Sequence, residues 1–308
     1  EIDGVTQAQG ATASWGDRDI HLAATNGFSG GYRRTGASIS CVAISGQGTK
    51  MEREYHGESR THAADLPDPA EVGRLAGERA AAMQGARRAK TGTYPVLFDE
   101  RISSSLIGHL LIAINGTSIA RGSSWARDLM DRQVLPEALS LTEDPHRKRI
   151  AGSRPFDAEG LATAPRTIVD RGMLRTWTLD LATARKLGLT STANASRSPS
   201  APPSPSLTNV TLTPGETDRA GLLAQMGTGL LITSFIGSTI NPNTGDYSRG
   251  ASGFWVENGQ IAYPVNEITI AGHLPDMLRR IVPANDARPH LSRRVPSLLI
   301  DGITLAGD

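Results

Sequence analysis

The chain has 308 residues, a single cysteine, Cys41, and 32 Lys and Arg against 31 Asp and Glu, for a net charge of +1. A balance this close to neutral excludes nucleic-acid or anionic-membrane binding driven by excess basic charge. One cysteine excludes an internal disulfide and a cysteine-based zinc cage, and fits a reducing cytoplasm, which is the expected location.

Glu1 opens directly into Ile-Asp-Gly, without an initiator Met or a leader, so the expectation is a fragment or processed product lacking an N-terminal part. Short strands are predicted at Ile20 to Ala24 and Ser38 to Ile44, which are apolar or β-branched runs between turn residues. From Asp68 to Arg88 the apolar residues Val72, Leu75, Ala76, Ala80 and Met83 fall near helical spacing behind Pro69, predicting one amphipathic helix. Arg87 to Thr93 reads as a linker into a buried strand over Tyr94 to Phe98, which sets a domain boundary between residues 92 and 93. Ser103 to Ile114 is expected to be a largely buried helix whose leading serines cap it.

Leu139 to Thr178 reads as short strands and turns, with a hairpin-like turn at Asp170-Arg171-Gly172. A short helix over Leu179 to Leu187 should stop at Gly188. The proline-rich stretch Ser198 to Ser206 reads as a surface loop. Thr217 to Met226 is a second helix capped by Thr217 or Asp218, followed by a strand over Gly229 to Phe235. Asn258-Gly259 between Gly253 to Glu257 and Gln260 to Val265 is a strong hairpin signal. Pro264 cannot donate to a ladder, so that strand is expected at an edge or to end its pairing there, with a new run over Asn266 to Ile270. Leu106 to Ile114 and Leu230 to Ile236 are far shorter than the ~20 residues a helical span requires, so no membrane crossing is expected.

Candidate chemistry is sparse. The chain has no H-E-x-x-H, and of its seven histidines only His56 and His62 lie close together, at a spacing that does not align two ligands on a helix. Ser103-Ser104-Ser105 lacks the Gly-x-Ser-x-Gly elbow of a nucleophile. Asp157 with Glu159, or Glu257 with Glu267, could pair for acid/base work, although turn and surface roles compete. No glycine-rich phosphate cradle precedes a helix.

In order along the chain, Met51-Glu52-Arg53, Pro155-Phe156-Asp157 with Glu159-Gly160, Ala184 to Gly188, Gly245 to Ala251, Gly253 to Gly259 and Glu267 to Gly272 resemble the TldD/PmbA metallopeptidase family, in its PmbA (TldE) branch. The resemblance implies an α+β fold: residues 1–92 as the remnant of an N-terminal α/β region, then a β-rich C-terminal domain over 93–308 with a few helices. It also implies a heterodimer or higher oligomer with a TldD-like subunit that carries zinc on H-E-x-x-x-H and a distant Cys and degrades or trims unfolded peptides. Aligned with that motif, this chain has Ser104, Ser105 and His109, and Val295 in place of the Cys. The implied role is therefore a subunit without catalytic residues or cofactor of its own. Asp246, Tyr247, Ser248, Arg249, Tyr263 and Pro264 are the candidates for contact with peptide or partner. Two other readings stay open: a stand-alone hydrolase using Asp157, Glu159 or Ser104, and a non-enzymatic modulator acting through protein contacts. His273 and Ala193 depart from the family pattern, which usually has Asn and Gly there; an exposed loop histidine and a rearranged loop are expected.

Overall fold

The computed structural model describes residues 2–308, with 238–239 described by their backbone alone. Strands β1 (Val5–Ala23) and β2 (Ser29–Ser45) form an antiparallel hairpin, and β3 (Glu52–Arg60) pairs with the other edge of β2. Both hairpin strands are much longer than the sequence predicts. The reason is that β1 is exposed along nearly its whole length. A strand wet on both faces carries no apolar alternation to read.

Helix α1 (Pro69–Ala82) starts as expected, with the Asp68 carboxylate accepting from the Ala70 amide and Pro69 in the first turn. It lays Ala76 and Ala80 on Ala43, with Val5 and Cys41 packed alongside. A Cβ on Gly77 would stand 2.6 Å from Ile2 Cδ1 and would displace that side chain. Gly85, at φ +72°, turns the chain away before Arg88.

The remainder is organised around a closed sheet. β4 (Gly92–Phe98) leads into α2 (Glu100–Ala113) and the short α3 (Gly116–Arg121). The serines do not cap α2: Asp99 does, accepting from the Arg101 amide, so the helix starts three residues earlier than predicted. β5 (Leu141–Glu143), β6 (Arg166–Asp170) and β7 (Met173–Leu174) follow, with Arg171 and Gly172 both at positive φ in the tight turn between the last two. Helix α4 (Leu181–Leu187) ends at Gly188 in the left-handed conformation, as expected. β8 (Ala195–Ser196) pairs with β9 (Ser204–Pro205), so the end of the proline-rich stretch is tied down beneath an exposed loop. β10 (Val210–Leu212) joins β5, and α5 (Arg219–Met226) is capped by Asp218 rather than Thr217.

β11 (Gly229–Ile240), β12 (Asp246–Glu257) and β13 (Gln260–His273) form a meander. Then come α6 (Leu274–Arg279), β14 (Val282–Pro283), β15 (Arg293–Arg294) and β16 (Leu298–Ala306). The strand order β13-β12-β11-β4-β16 closes on itself through β13–β16 pairing, giving a small barrel whose one parallel pair is β4 with β11. Its strands alternate. Leu97, Leu231 and Leu299 share a cluster with Leu222, Leu223 and Met226 of α5, while Val96, Phe98, Leu230, Ile232, Leu298 and Ile300 share one with Leu106, Ile107 and Leu110 of α2. With both faces covered, these strands read as continuous apolar runs. β10 and β5 to β7 form a separate sheet with β15.

The predicted hairpin is present: Asn258 (φ 52°) and Gly259 (φ 75°) connect Glu257 to its partner Gln260. Pro264 stands at an edge as expected, since β16 pairs with β13 only over Thr269 to Ala271, but the strand's pairing does not end there. Pairing with β12 passes through Phe254 and Pro264 and, after a bulge at Glu267 (φ 50°), runs on to His273. Pro264 is tolerated because its missing N–H faces no ladder demand, while its carbonyl accepts from the Arg87 amide at 3.2 Å. The side of β13 away from β12 is thus met by Arg87 and then by β16, not left open.

Candidate functional site

A cleft of 380 Å³ opens where β3, α1, α2, β11 and β12 meet, between the N-terminal sheet and the barrel. Each element delivers polar side chains to it: Glu54 and His56 from β3, Arg79 from α1, Arg101, Ser104 and Ser105 from α2, and Arg249 from β12. Arg288, from the segment before β15, completes the wall. A larger opening of 490 Å³ lies under the β1–β2 hairpin beside Trp15, Arg149 and His290, without a comparable convergence of groups from the barrel.

The cleft arginines are held in two ways. Arg101 donates to the buried Asp99 at 2.8 Å, and Arg288 donates to Glu100 at 2.7 Å and to Glu58 at 3.3 Å. Arg79 instead donates to the Tyr55 carbonyl (3.1 Å) and lies 2.9 Å from His56 Nδ1, and Arg249 donates through Nε to the Gly237 carbonyl (3.0 Å) with its guanidinium 4.0 Å above the Phe235 ring. Burial pushes the pKa of Glu54 up and that of Arg79 down. Burial also works against ionisation of Glu58, but Arg60, Arg288 and His290 around it hold its carboxyl below the ordinary range.

His109 lies one turn beyond Ser104 and Ser105 on α2. Its ring meets Tyr247 edge-on at 5.9 Å, and neither its Nε2 nor the Tyr247 hydroxyl has a hydrogen-bond partner among the described residues. Burial, with Arg249 and Arg293 nearby, lowers the His109 pKa to about 4, so the imidazole is neutral at pH 7. Burial likewise pushes the Tyr247 phenol up. Ser105 donates to the Ile102 carbonyl at 2.7 Å within its own helix, and Val295 is 2% exposed in the apolar core. A protein zinc site takes three or four N, S or carboxylate ligands. Among the described residues no three His, Cys, Asp or Glu side chains converge, and the cationic surroundings of His109 do not fit a zinc ion.

Other residues singled out in the sequence are placed elsewhere. Asp157 is buried and accepts from the amides of Glu159, Leu161 and Ala195. Glu159 accepts from the Leu181 amide at 2.8 Å, so this pair organises a turn and the start of α4 and is not aimed at a cleft. Glu257 accepts from Trp255 and Glu267 from Arg88, on separate surfaces. His56 is buried in β3 while His62 is exposed beyond its end. Of the contact candidates, Arg249 reaches the cleft and Asp246 is exposed beside Thr244. Ser248 is half-buried. Tyr247 is a correction: at 2% exposure it belongs to the core. Tyr263 stacks on Trp255 beneath Arg87, whose guanidinium lies 3.8 Å from its ring, and the Pro264 carbonyl accepts from the Arg87 amide; both residues remain half-buried.

His273 is exposed, as expected, but it does not lie in a loop. It ends β13 and precedes α6, with Nδ1 2.7 Å from Asp276 and Nε2 2.9 Å from the Thr244 carbonyl, so it is a clasp and not a loose loop residue. Ala193 itself adopts φ 53°, the left-handed region that glycine favours. Sequence reasoning missed Arg79, Arg101 and Arg288, which come from three separated segments with no shared spacing and meet only in the fold.

Two family profiles cover nearly the whole chain: that of the PmbA/TldA metallopeptidase central domain matches residues 1–84, and that of the C-terminal domain matches 91–307. The chain belongs to the PmbA/TldD metallopeptidase family, in its PmbA branch. It is 38% identical to the metalloprotease PmbA homologue of Haemophilus influenzae over 92% of its own length and 61% of the relative's. The metalloprotease PmbA of Escherichia coli O157:H7 gives the same figures. The chain therefore spans about three fifths of these relatives. Among solved structures, a Bacteroides thetaiotaomicron protein described as a candidate modulator of DNA gyrase superposes with a TM-score of 0.92 at 29% identity, covering 100% of this chain and 68% of the other. TldE from Thermococcus kodakarensis superposes with a TM-score of 0.84 at 18% identity, over 96% and 68% of the two chains, and shows a shared fold.

Proposed function

We propose that this PmbA-branch chain is the zinc-free, TldE-like half of a two-subunit metallopeptidase, which forms a wall of the peptide-holding cavity and a partner interface while a TldD-like subunit carries the zinc and hydrolyses unfolded peptides. The observation that carries this reading is the makeup of α2, where Ser104, Ser105 and His109 stand beside Arg249 and Arg293 in place of a metal donor set. The relatives named metalloprotease support the family chemistry, and a TldD homologue of Buchnera aphidicola, 25% identical over 65% of this chain, supplies the type of partner. A stand-alone carboxylate hydrolase is disfavoured because Asp157 and Glu159 are spent on backbone amides.

The test is zinc content by mass spectrometry and hydrolysis of an unstructured peptide, measured on the complete protein alone and with a TldD-like subunit. The expected result is no stoichiometric zinc and no turnover alone, with turnover in the mixture. Stoichiometric zinc or full activity in the isolated protein sinks the reading.

A further inference from the structure

We infer that the cleft between β3, α2 and β12 is a receptor for the carboxylate of an extended peptide, with Arg79 and Arg249 as the residues that grip it. This rests on the peptide-handling role proposed above and adds the part of the peptide that is recognised.

The cleft carries positive charge that is placed but not matched. Four arginines line the cleft against one carboxylate, Glu54. Arg101 and Arg288 have acidic partners at 2.8 and 2.7 Å. Arg79 and Arg249 have none within 4.0 Å among the described residues, although they come from different elements and face the same space. Both heads are nonetheless fixed by neutral groups: Arg79 by the Tyr55 carbonyl and His56, Arg249 by the Gly237 carbonyl and the Phe235 ring. Arg79 makes these contacts through Nη1 and Arg249 through Nε, so each retains N–H groups for a ligand. A planar guanidinium held in place loses little freedom on pairing, and its fork matches a carboxylate bidentately. Solvation alone is a poor partner for a half-buried cation, and the burial that already disfavours charge on Arg79 makes an anionic guest the natural complement.

The edge of β3 argues for a peptide as the bearer of that carboxylate. Residues Glu54, Tyr55, His56 and Gly57 line the cleft, and β3 pairs with β2 alone, so its other edge has no strand neighbour. An extended chain can lie along such an edge by main-chain hydrogen bonding while the arginines hold its anionic group.

Three labelled forms of one short unstructured peptide test this on the complete protein without its catalytic partner, so that the peptide stays intact: a free C-terminal acid, the C-terminal amide, and the amide with one internal glutamate. Fluorescence polarisation should show the acid binding about tenfold or more tighter than the amide, as loss of a charge-assisted contact implies. Arg79→Gln and Arg249→Gln should each erase most of that preference, whereas Arg171→Gln, which breaks a surface pair with Glu137, should preserve it. Should either glutamine variant melt early, Arg79→Lys and Arg249→Lys, which keep the charge and lose the fork, should still shrink the preference. A glutamate peptide that equals the acid extends the receptor to side-chain carboxylates and supports the inference. Equal binding of acid and amide, or a preference that survives in both arginine variants, overturns it while leaving a peptide-handling role standing. Failure of all three peptides to bind overturns both.

Discussion

His109 is a half-buried neutral ring on α2, and that makes it a measurable acid liability. Its folded pKa, about 4, lies below the ordinary value of 6.5 because burial and two arginines oppose its charge. The unfolded chain therefore binds a proton between these two values that the native state refuses, so native stability falls as pH drops from about 6.5 to 4. Allowing for the ring's partial exposure, the loss is about 1–2 kcal/mol. Urea denaturation at pH 7 and pH 4.5 should show a smaller acid loss in His109→Leu than in the parent. A second residue-scale prediction concerns Ala193, an alanine held at φ 53°. A Cβ in that region costs energy that glycine avoids, so Ala193→Gly should raise stability by about 0.5–1 kcal/mol, read as a higher denaturation midpoint.

At the scale of elements, the β1–β2 hairpin is pinned at two places far apart. Its root rests on α1 through Ala43, Ala76 and Ala80. Its tip carries Phe28 and Tyr32, whose rings meet Phe156 edge-on at 4.9 and 5.4 Å. Gly160, at φ +82°, leaves room for Phe28, since a Cβ there would come within 2.6 Å of the ring. Phe156→Ala should then cost about 2 kcal/mol and expose the hairpin turn to limited proteolysis, while a variant at exposed Trp15 should do neither. The pattern also explains what the sequence made legible. Helices α1, α4 and α5, the strand ending in Phe98 and the Asn258-Gly259 turn each carry their own local signal of capping, periodicity or positive φ. The hairpin strands carry such a signal only over Ile20 to Ala23 and Ser38 to Ile44, because the stretch from Gly10 to Gly16 is wet on both faces.

On the scale of the whole molecule, the N-terminal sheet is joined to the rest of the chain by charge as well as by aromatic packing. Glu58, 9% exposed on its side chain, is met by Arg60, Arg288 and His290, and Arg288 also reaches Glu100 at the start of α2. Removing one partner of a buried ion network leaves the others unpaired, so Glu58→Ala should cost about 3 kcal/mol, measured by thermal denaturation. The same long-range meetings hide the candidate site from sequence reading: Arg79, Arg101, Arg249 and Arg288 are separated by many residues, and nothing local marks them as neighbours. Ser104 and Ser105 are visible as part of a serine run, but only the resemblance ties them to His109.

The barrel shuts through β16, which pairs with β4 on one side and β13 on the other. During synthesis, β4 leaves the ribosome about two hundred residues before the strand that covers its edge, so a long apolar edge waits exposed in the nascent chain. Cells producing this chain should depend on chaperones that shield such edges. A stop codon placed before Leu298 should convert a stable product into an aggregate, visible as a shift of the whole population from the supernatant to the pellet.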